Sequence, residues 1–328
     1  MYVNQIFELS MMLDNERFHK ILNKAYRQVG HLDNNENEYI DQSMASKGIV
    51  IKYRDSQHKK KIRLIADYKV VLNSSEINSD KFIRKLDKRI GEYFDHKYQL
   101  EDFAVARMVL TTDIDVRGQE NVSAYLKVLQ RIGRVKGFSP ASYDCFDTGV
   151  SFCLEGNSNG TQFLIYDLEN LLESQLGRTD IGRKKLKLII EKTKGILRAE
   201  VRLTKPKAIR NYVDATDVVG QIEELSKNCQ EVFMDTFVHV IPFGDHYKKD
   251  KAMEIIQRDV KDNIMRRKML RLLTLVPEKK SLYLAQKNMN CRNMEKVMEA
   301  FAKINVSPVT ISKRHDIRYL ESLYVYLL

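Results

Sequence analysis

The chain reads as an α+β protein, with an antiparallel-sheet unit over residues 1–243 followed by a basic, helical unit over residues 244–328. Three observations give that class. Apolar runs with a period of two alternate with helical patterns through the first two thirds of the chain. Pro242, Phe243, Gly244 and Asp245 then bring two backbone breakers together where the charge balance changes. Beyond them, residues 248–314 hold 17 Lys or Arg against 7 Asp or Glu, so this window supplies +10 of a net charge of +11.

Taken in order, residues up to about 35 predict one or two amphipathic helices, from Phe7, Leu9, Met12 and Leu13 and then Phe18, Ile21, Leu22 and Tyr26. The polar stretch 33–41 predicts a loop. Residues 48–53 and 62–68 predict strands on either side of a basic turn, and 80–98 a helix with Phe82, Leu86, Ile90 and Phe94 on one side. Residues 104–116 form the next strand, apolar until Asp113 and Asp115, and 121–133 a further helix. A hairpin follows: Val150, Phe152 and Leu154 alternate with Ser151, Cys153 and Glu155, a turn cluster spans 157–160, and an apolar run ends at Tyr166. After a basic helical segment, Leu197, Ala199, Val201 and Leu203 alternate, which puts Arg198, Glu200 and Arg202 together on the opposite face. Residues 221–228 predict a helix and 232–241 a strand. In the basic unit, 250–276 predicts a helix with a buried stripe of Met253, Ile256, Val260, Ile264, Met265 and Leu272. Two short helices at 281–288 and 293–304, separated by a brief polar break, have the spacing of a helix-turn-helix. The tyrosine-rich end, with Tyr319, Leu320, Leu323 and Tyr324, is expected to pack back onto these helices.

A chain of 328 residues, 43 % of them hydrophobic, can bury a sizeable core. No stretch approaches the ~18 apolar residues of a membrane span, and no basic segment precedes an apolar one near Met1, so a cytoplasmic protein is expected. Cys145, Cys153, Cys229 and Cys291 form no C-x-x-C pair and read as reduced thiols. None of the seven histidines makes a His-hydrophobic-His pair. The phosphate-binding pattern G-x-x-x-x-G-K-[ST] is missing, which excludes an ATP-driven helicase on this chain. The basic window predicts an acidic polymer as partner. Nucleic acid fits better than a membrane, because no sustained apolar face accompanies the charge.

Chemistry concentrates on a few side chains. A carboxylate between two guanidinium groups, as in Arg198, Glu200 and Arg202, suits a site for a phosphate and a metal. Tyr166 ends the neighbouring run and is followed by Asp167, read as a helix N-cap. Asp113 and Asp115 share one face of their strand, so either can serve as a ligand. Arg266, Arg267, Lys268 and Arg271 lie within two helical turns, an arrangement for tracking a DNA backbone. Arg292, Asn293 and Lys296 open the second helix of the helix-turn-helix, where base readout is expected.

Phe163, Leu164, Ile165 and Tyr166, followed by Ile196, Leu197, Arg198, Ala199, Glu200, Val201, Arg202 and Leu203, resemble the replication endonucleases of filamentous phages. Those are the gene II class of rolling-circle initiators, with relatives on plasmids and integrative elements. Thr111 to Asp115 and the helical tail extend the resemblance over most of the chain. Many relatives carry a lysine two residues after the tyrosine, where this chain has Leu168. The resemblance implies a two-layer nuclease fold, Tyr166 as nucleophile, and Asp115 and Glu200 as carboxylates for Mg²⁺ or Mn²⁺, hard ions that oxygen ligands favour over zinc. It implies double- and single-stranded DNA at a replication origin as substrate, with a host helicase and polymerase downstream; a homodimer is left open. A conjugative relaxase would share the chemistry. The rival class is a non-catalytic copy-control factor or repressor that keeps only DNA binding.

Overall fold

The structure, a computed structural model, describes residues 1–29, 32–35, 37–142, 151–158, 160–174 and 183–327. The expectations placed on Cys145, Val150 and Asn159 lie outside them. Ten strands form one sheet: β1 (Asn4–Leu13), β2 (Asp33–Asn35), β3 (Glu38–Asp41), β4 (Ile49–Asp55), β5 (Lys60–Asp67), β6 (Ala104–Asp115), β7 (Phe138–Pro140), β8 (Ser151–Gly156), β9 (Thr161–Asp167) and β10 (Ile196–Leu203). They pair antiparallel throughout, in the order β2-β3-β4-β5-β1-β6-β10-β9-β8-β7. The molecule is therefore a mixed α+β fold on a large antiparallel sheet.

Alternation decides which side chains enter the core. Along β1, Gln5, Phe7, Leu9 and Met11 are buried while their neighbours are partly exposed. Helices α1 (Asn15–Val29), α2 (Tyr68–Leu72), α3 (Ser79–Tyr93) and α4 (Gln119–Leu129) contribute to the same core. In α1, Phe18, Leu22 and Ala25 are buried at helical spacing, and Asp14 caps the first turn by accepting from the Arg17 amide at 2.8 Å. Helix α3 begins at an Asn78 cap and sets Phe82 against Phe7, with ring centroids 5.7 Å apart. Further on come α5 (Leu168–Ser174), α6 (Arg183–Glu191), α7 (Pro206–Ile209), α8 (Val218–Lys227) and α9 (Cys229–Val240). The opposite sheet face is polar over most of its width, as where Arg63 bonds Glu8 and Glu38. At its β8–β9 end it gathers a small apolar cluster of Cys153, Leu164, Tyr166 and Leu168, covered by Leu171 and Leu172 of α5.

Four expectations are corrected. The first segment is a strand and not a helix, because Gln5, a polar residue at a core position bonded to the Ser226 carbonyl, hides the period of two. The polar stretch expected as a loop over 33–41 holds two strands, β2 paired with β3 and β3 with β4. The strand expected over 232–241 is instead helix α9 up to Val240, whose buried positions Cys229, Val232, Phe233, Thr236, Phe237 and Val240 follow a helical period. The long helix at 250–276 is two, α10 (Lys249–Asp259) and α11 (Asn263–Lys279), broken where Asp262 caps α11 by accepting from the Ile264 and Met265 amides. Ile264, expected in the buried stripe, is 67 % exposed.

The chain continues through α12 (Leu282–Met289) and α13 (Met294–Lys303), and α11 packs against α10, α12 and α13. Two short strands, β11 (His246–Tyr247) and β12 (Tyr319–Leu320), pair antiparallel. At the expected boundary, Gly244 has φ +114°, and a Cβ there would meet the Val306 carbonyl carbon at 2.5 Å. Asp245 is buried: its carboxylate accepts from the Ser322 amide at 2.8 Å and from the hydroxyls of Tyr319 at 3.1 Å and Tyr247 at 3.3 Å. His246 is buried beside it, its Nδ1 2.8 Å from the Val309 carbonyl oxygen, and burial lowers its pKa. One apolar core runs through residues on both sides of position 243. The C-terminal tyrosines reach beyond the helices onto the sheet unit. Tyr324 packs on Phe237 and donates to the Ile241 carbonyl at 2.6 Å, and Tyr125 of α4 donates to the Glu321 carbonyl at 2.8 Å. Among the described residues no helix is long and apolar enough to cross a membrane.

Candidate active site on the polar face of the sheet

The antiparallel register sets the site. Arg198 lies opposite Tyr166 on one side and Asp113 on the other, while Glu200 lies opposite Leu164 and Thr111. Because successive side chains alternate, Tyr166, Arg198, Asp113, Glu200 and Arg202 all project from the face away from the main core. Tyr166 is diagonal to Glu200, within reach of a long side chain. Its hydroxyl donates to Glu200 Oε1 at 2.5 Å. Arg202 takes the other oxygen, Nε donating to Glu200 Oε2 at 2.7 Å. Arg198 forms a forked pair with Asp113, at 2.6 and 2.9 Å.

Burial grades across this group. Tyr166 is 2 % exposed, and the Glu200 side chain 8 %, whereas Arg198 and Asp113 retain 31 % and 44 %. The outer pair is thus the rim through which solvent or a ligand meets the inner one. Burial, followed by the charge of Glu200 and the hydrogen bond to it, pushes the Tyr166 phenol well above its ordinary pKa. Burial works against the charge on Arg198, but the pair with Asp113 outweighs it and the guanidinium pKa is raised. A phenol in this setting is neutral at physiological pH, and its proton already points at a carboxylate.

Asp115 is not part of the group. It pairs with Ile196, four residues along β10 from Glu200, which separates the two carboxylates by ~13 Å along the strand. One oxygen of Asp115 accepts from the Arg117 amide at 2.9 Å. Glu200 and Asp113 each give both oxygens to partners already named. Among the described residues no three His, Cys, Asp or Glu converge as a metal would require. As arranged, Glu200 holds Tyr166 and Arg202, Asp113 holds Arg198, and Asp115 stands apart from both.

Asp167 caps α5, accepting from the Asn170 amide at 3.2 Å, and its other oxygen accepts from the Gln119 side-chain amide. Gln119 in turn accepts from the Gly195 amide at 3.2 Å, so it ties α4 to the ends of both β9 and β10. That role had no sequence signal, because it depends on three distant segments meeting. In the basic tail, Arg267, Arg271, Arg292, Asn293 and Lys296 are exposed, and Arg266 and Lys268 partly so. Arg266 is engaged locally, with Asn263 and the Gln257 carbonyl. Arg267, Lys268 and Arg271 stand at positions i, i+1 and i+4 of α11.

No family model and no curated protein matches this chain. The chain is similar to the structure of a rolling circle replication initiator protein from Geobacillus stearothermophilus, at 12 % identity and a TM-score of 0.32, over 79 % of this chain and 88 % of that one. A likeness that loose assigns no residue a role.

Proposed function

We propose that the chain is a DNA nicking and joining protein of the replication-initiator type, with Tyr166 as nucleophile. The observation that carries this reading is the 2.5 Å hydrogen bond from the Tyr166 hydroxyl to Glu200, with Arg202 on the same carboxylate and Arg198 at the rim. In this scheme the phenolic proton passes to Glu200 as the phenolic oxygen attacks phosphorus. The P–O3′ bond breaks, the 3′-oxygen takes a proton from water, and the 5′-phosphate stays on Tyr166. That ester preserves the bond for rejoining, and the free 3′-hydroxyl can prime a polymerase. Arg198, released from Asp113 by the incoming phosphate, stabilises the charge on its oxygens. The exposed cations of α11 and α13 would bring duplex DNA to the chain, with a separate helicase opening it.

No step above runs through a metal, since the carboxylates named for Mg²⁺ or Mn²⁺ do not converge. The closed bonding of Glu200 favours a second reading, in which tyrosine, carboxylate and arginine form a structural triad and the chain binds DNA without cutting it. One assay separates the two. A supercoiled plasmid carrying the DNA that flanks the chain's own coding sequence is incubated with protein, in EDTA and in Mg²⁺ or Mn²⁺. Nicked circles with a phosphotyrosine at Tyr166 support the nuclease. Binding without nicks or adducts under every condition overturns it.

A further inference from the structure

On the far side of the sheet from Tyr166, helix α1 and the turn after α3 enclose a groove of about 580 Å³. Arg17, Lys20, Lys24 and Arg27 stand along its helical wall, and Lys97 faces them from the turn, against one carboxylate, Asp95. The helical stripe runs i, i+3, i+7 and i+10, a length of ~15 Å. Its aromatic side is Tyr98, partly exposed and set edge-on at 5.7 Å against Phe94, which is buried. A ring held from behind in this way is a platform for another flat ring. Two of the cations have neighbours of opposite charge. Arg17 meets Asp14 at 3.2 Å and Lys24 meets Asp95, but both pairs are exposed, and such pairs are weak enough for a phosphate to displace.

We propose that this groove binds single-stranded nucleic acid. Cations along one wall track a phosphate backbone, and the partly exposed Tyr98 ring stacks a base, a combination suited to unpaired strands because a duplex keeps its bases inside. The volume is that of a drug-sized ligand, enough for a nucleotide or two and far too small for a duplex. Helix α1 lies over β5 and on the opposite face from Tyr166, which stands on β9, four strand spacings or ~19 Å away. The groove is therefore a contact separate from any cleavage site, and its test reads binding alone.

The probe is a fluorescein-labelled oligo-dT, followed by anisotropy against salt with the full chain. Lys20, Arg27 and Lys97 are exposed, so Lys20→Ala, Arg27→Ala and Lys97→Ala combined should leave the fold intact. With a single-strand slope of about −0.7 per phosphate contact, losing three contacts flattens the log-log salt slope by about 2 and weakens binding about 100-fold at 0.1 M salt. Tyr98→Leu should weaken binding about 5-fold or more at an unchanged slope, and Tyr98→Phe should restore it. Unchanged affinity and slope in the triple variant would overturn the proposal. An equal loss for a labelled duplex would overturn its claim to single strands. Loss of pelleting with phosphatidylserine vesicles, with oligo-dT binding intact, would assign the groove to a membrane surface instead.

Discussion

Replacing Tyr166 by Phe removes a single oxygen from a side chain that is 2 % exposed. The ring still packs on Cys153, Leu164 and Leu168, so the perturbation falls on what the hydroxyl itself engages, the bond with Glu200 included. A hydrogen bond to a charged group contributes about 1.5–3 kcal/mol. Arg202 still neutralises Glu200 in the variant, which places the loss toward the lower end, about 1.5–2 kcal/mol. At roughly 2 °C per kcal/mol for a chain of this size, the melting temperature falls about 3–4 °C. Urea titration of Tyr166→Phe, Glu200→Gln and the double variant closes a cycle, with a coupling of about 1 kcal/mol or more between residues in contact. Strict additivity, or no loss of stability in Tyr166→Phe, would refute the buried tyrosine–carboxylate pair. In the same variant the covalent adduct disappears while duplex affinity is unchanged. If the adduct persists, the nucleophile lies elsewhere, with Tyr212 and Tyr143 next to test.

Glu200→Gln keeps the shape but loses the base, so adduct formation should fall at least tenfold; full activity across a Mg²⁺ and Mn²⁺ titration would leave Glu200 a purely structural partner. Arg267→Ala, Lys268→Ala and Arg271→Ala combined should lower duplex affinity for all sequences alike and flatten the salt slope by about 2 to 3. Arg292→Ala with Lys296→Ala should instead reduce discrimination between competitor sequences, and a uniform loss in both sets would remove the readout role from α13. Stability should fall as pH rises above about 10. Burial raises the phenols of Tyr53, Tyr93, Tyr125, Tyr166 and Tyr324. A raised folded pKa gives stability that is whole below the unfolded value and lost as pH climbs through the folded one. Denaturant midpoints that stay flat between about pH 9 and 11 would contradict this burial.

What could be read from the chain depended on whether a segment's period was visible. Strands β4, β5, β6 and β10 announce themselves because nearly all their core positions are aliphatic or aromatic. Segment β1 does not, since Gln5 occupies a core position and Ile6 the opposite face. Helix α9 is apolar enough to pass for a strand; its helical period emerges only when Cys229 and Thr236 are counted as buried residues. Strands β2 and β3 are short and mostly polar, and it is pairing, β2 on β3 and β3 on β4, that makes them strands. For the site, alternation correctly put Arg198, Glu200 and Arg202 on one face. It could not supply the register between strands, and that register makes Glu200 the partner of Tyr166 and leaves Asp115 at a distance.

Asp245 has a consequence for synthesis. The backbone amide that reaches its carboxylate belongs to Ser322, 77 residues later. At a ribosomal rate of about 5–20 residues per second, that interval lasts about 4–15 s. Throughout it, helices α10 to α13 emerge with their closing strand β12 still unmade and Phe237 lacking the Tyr324 ring that covers it. A ribosome stalled short of Tyr319 would hold out a nascent chain with that seam open, a hydrophobic target for the first chaperone to arrive.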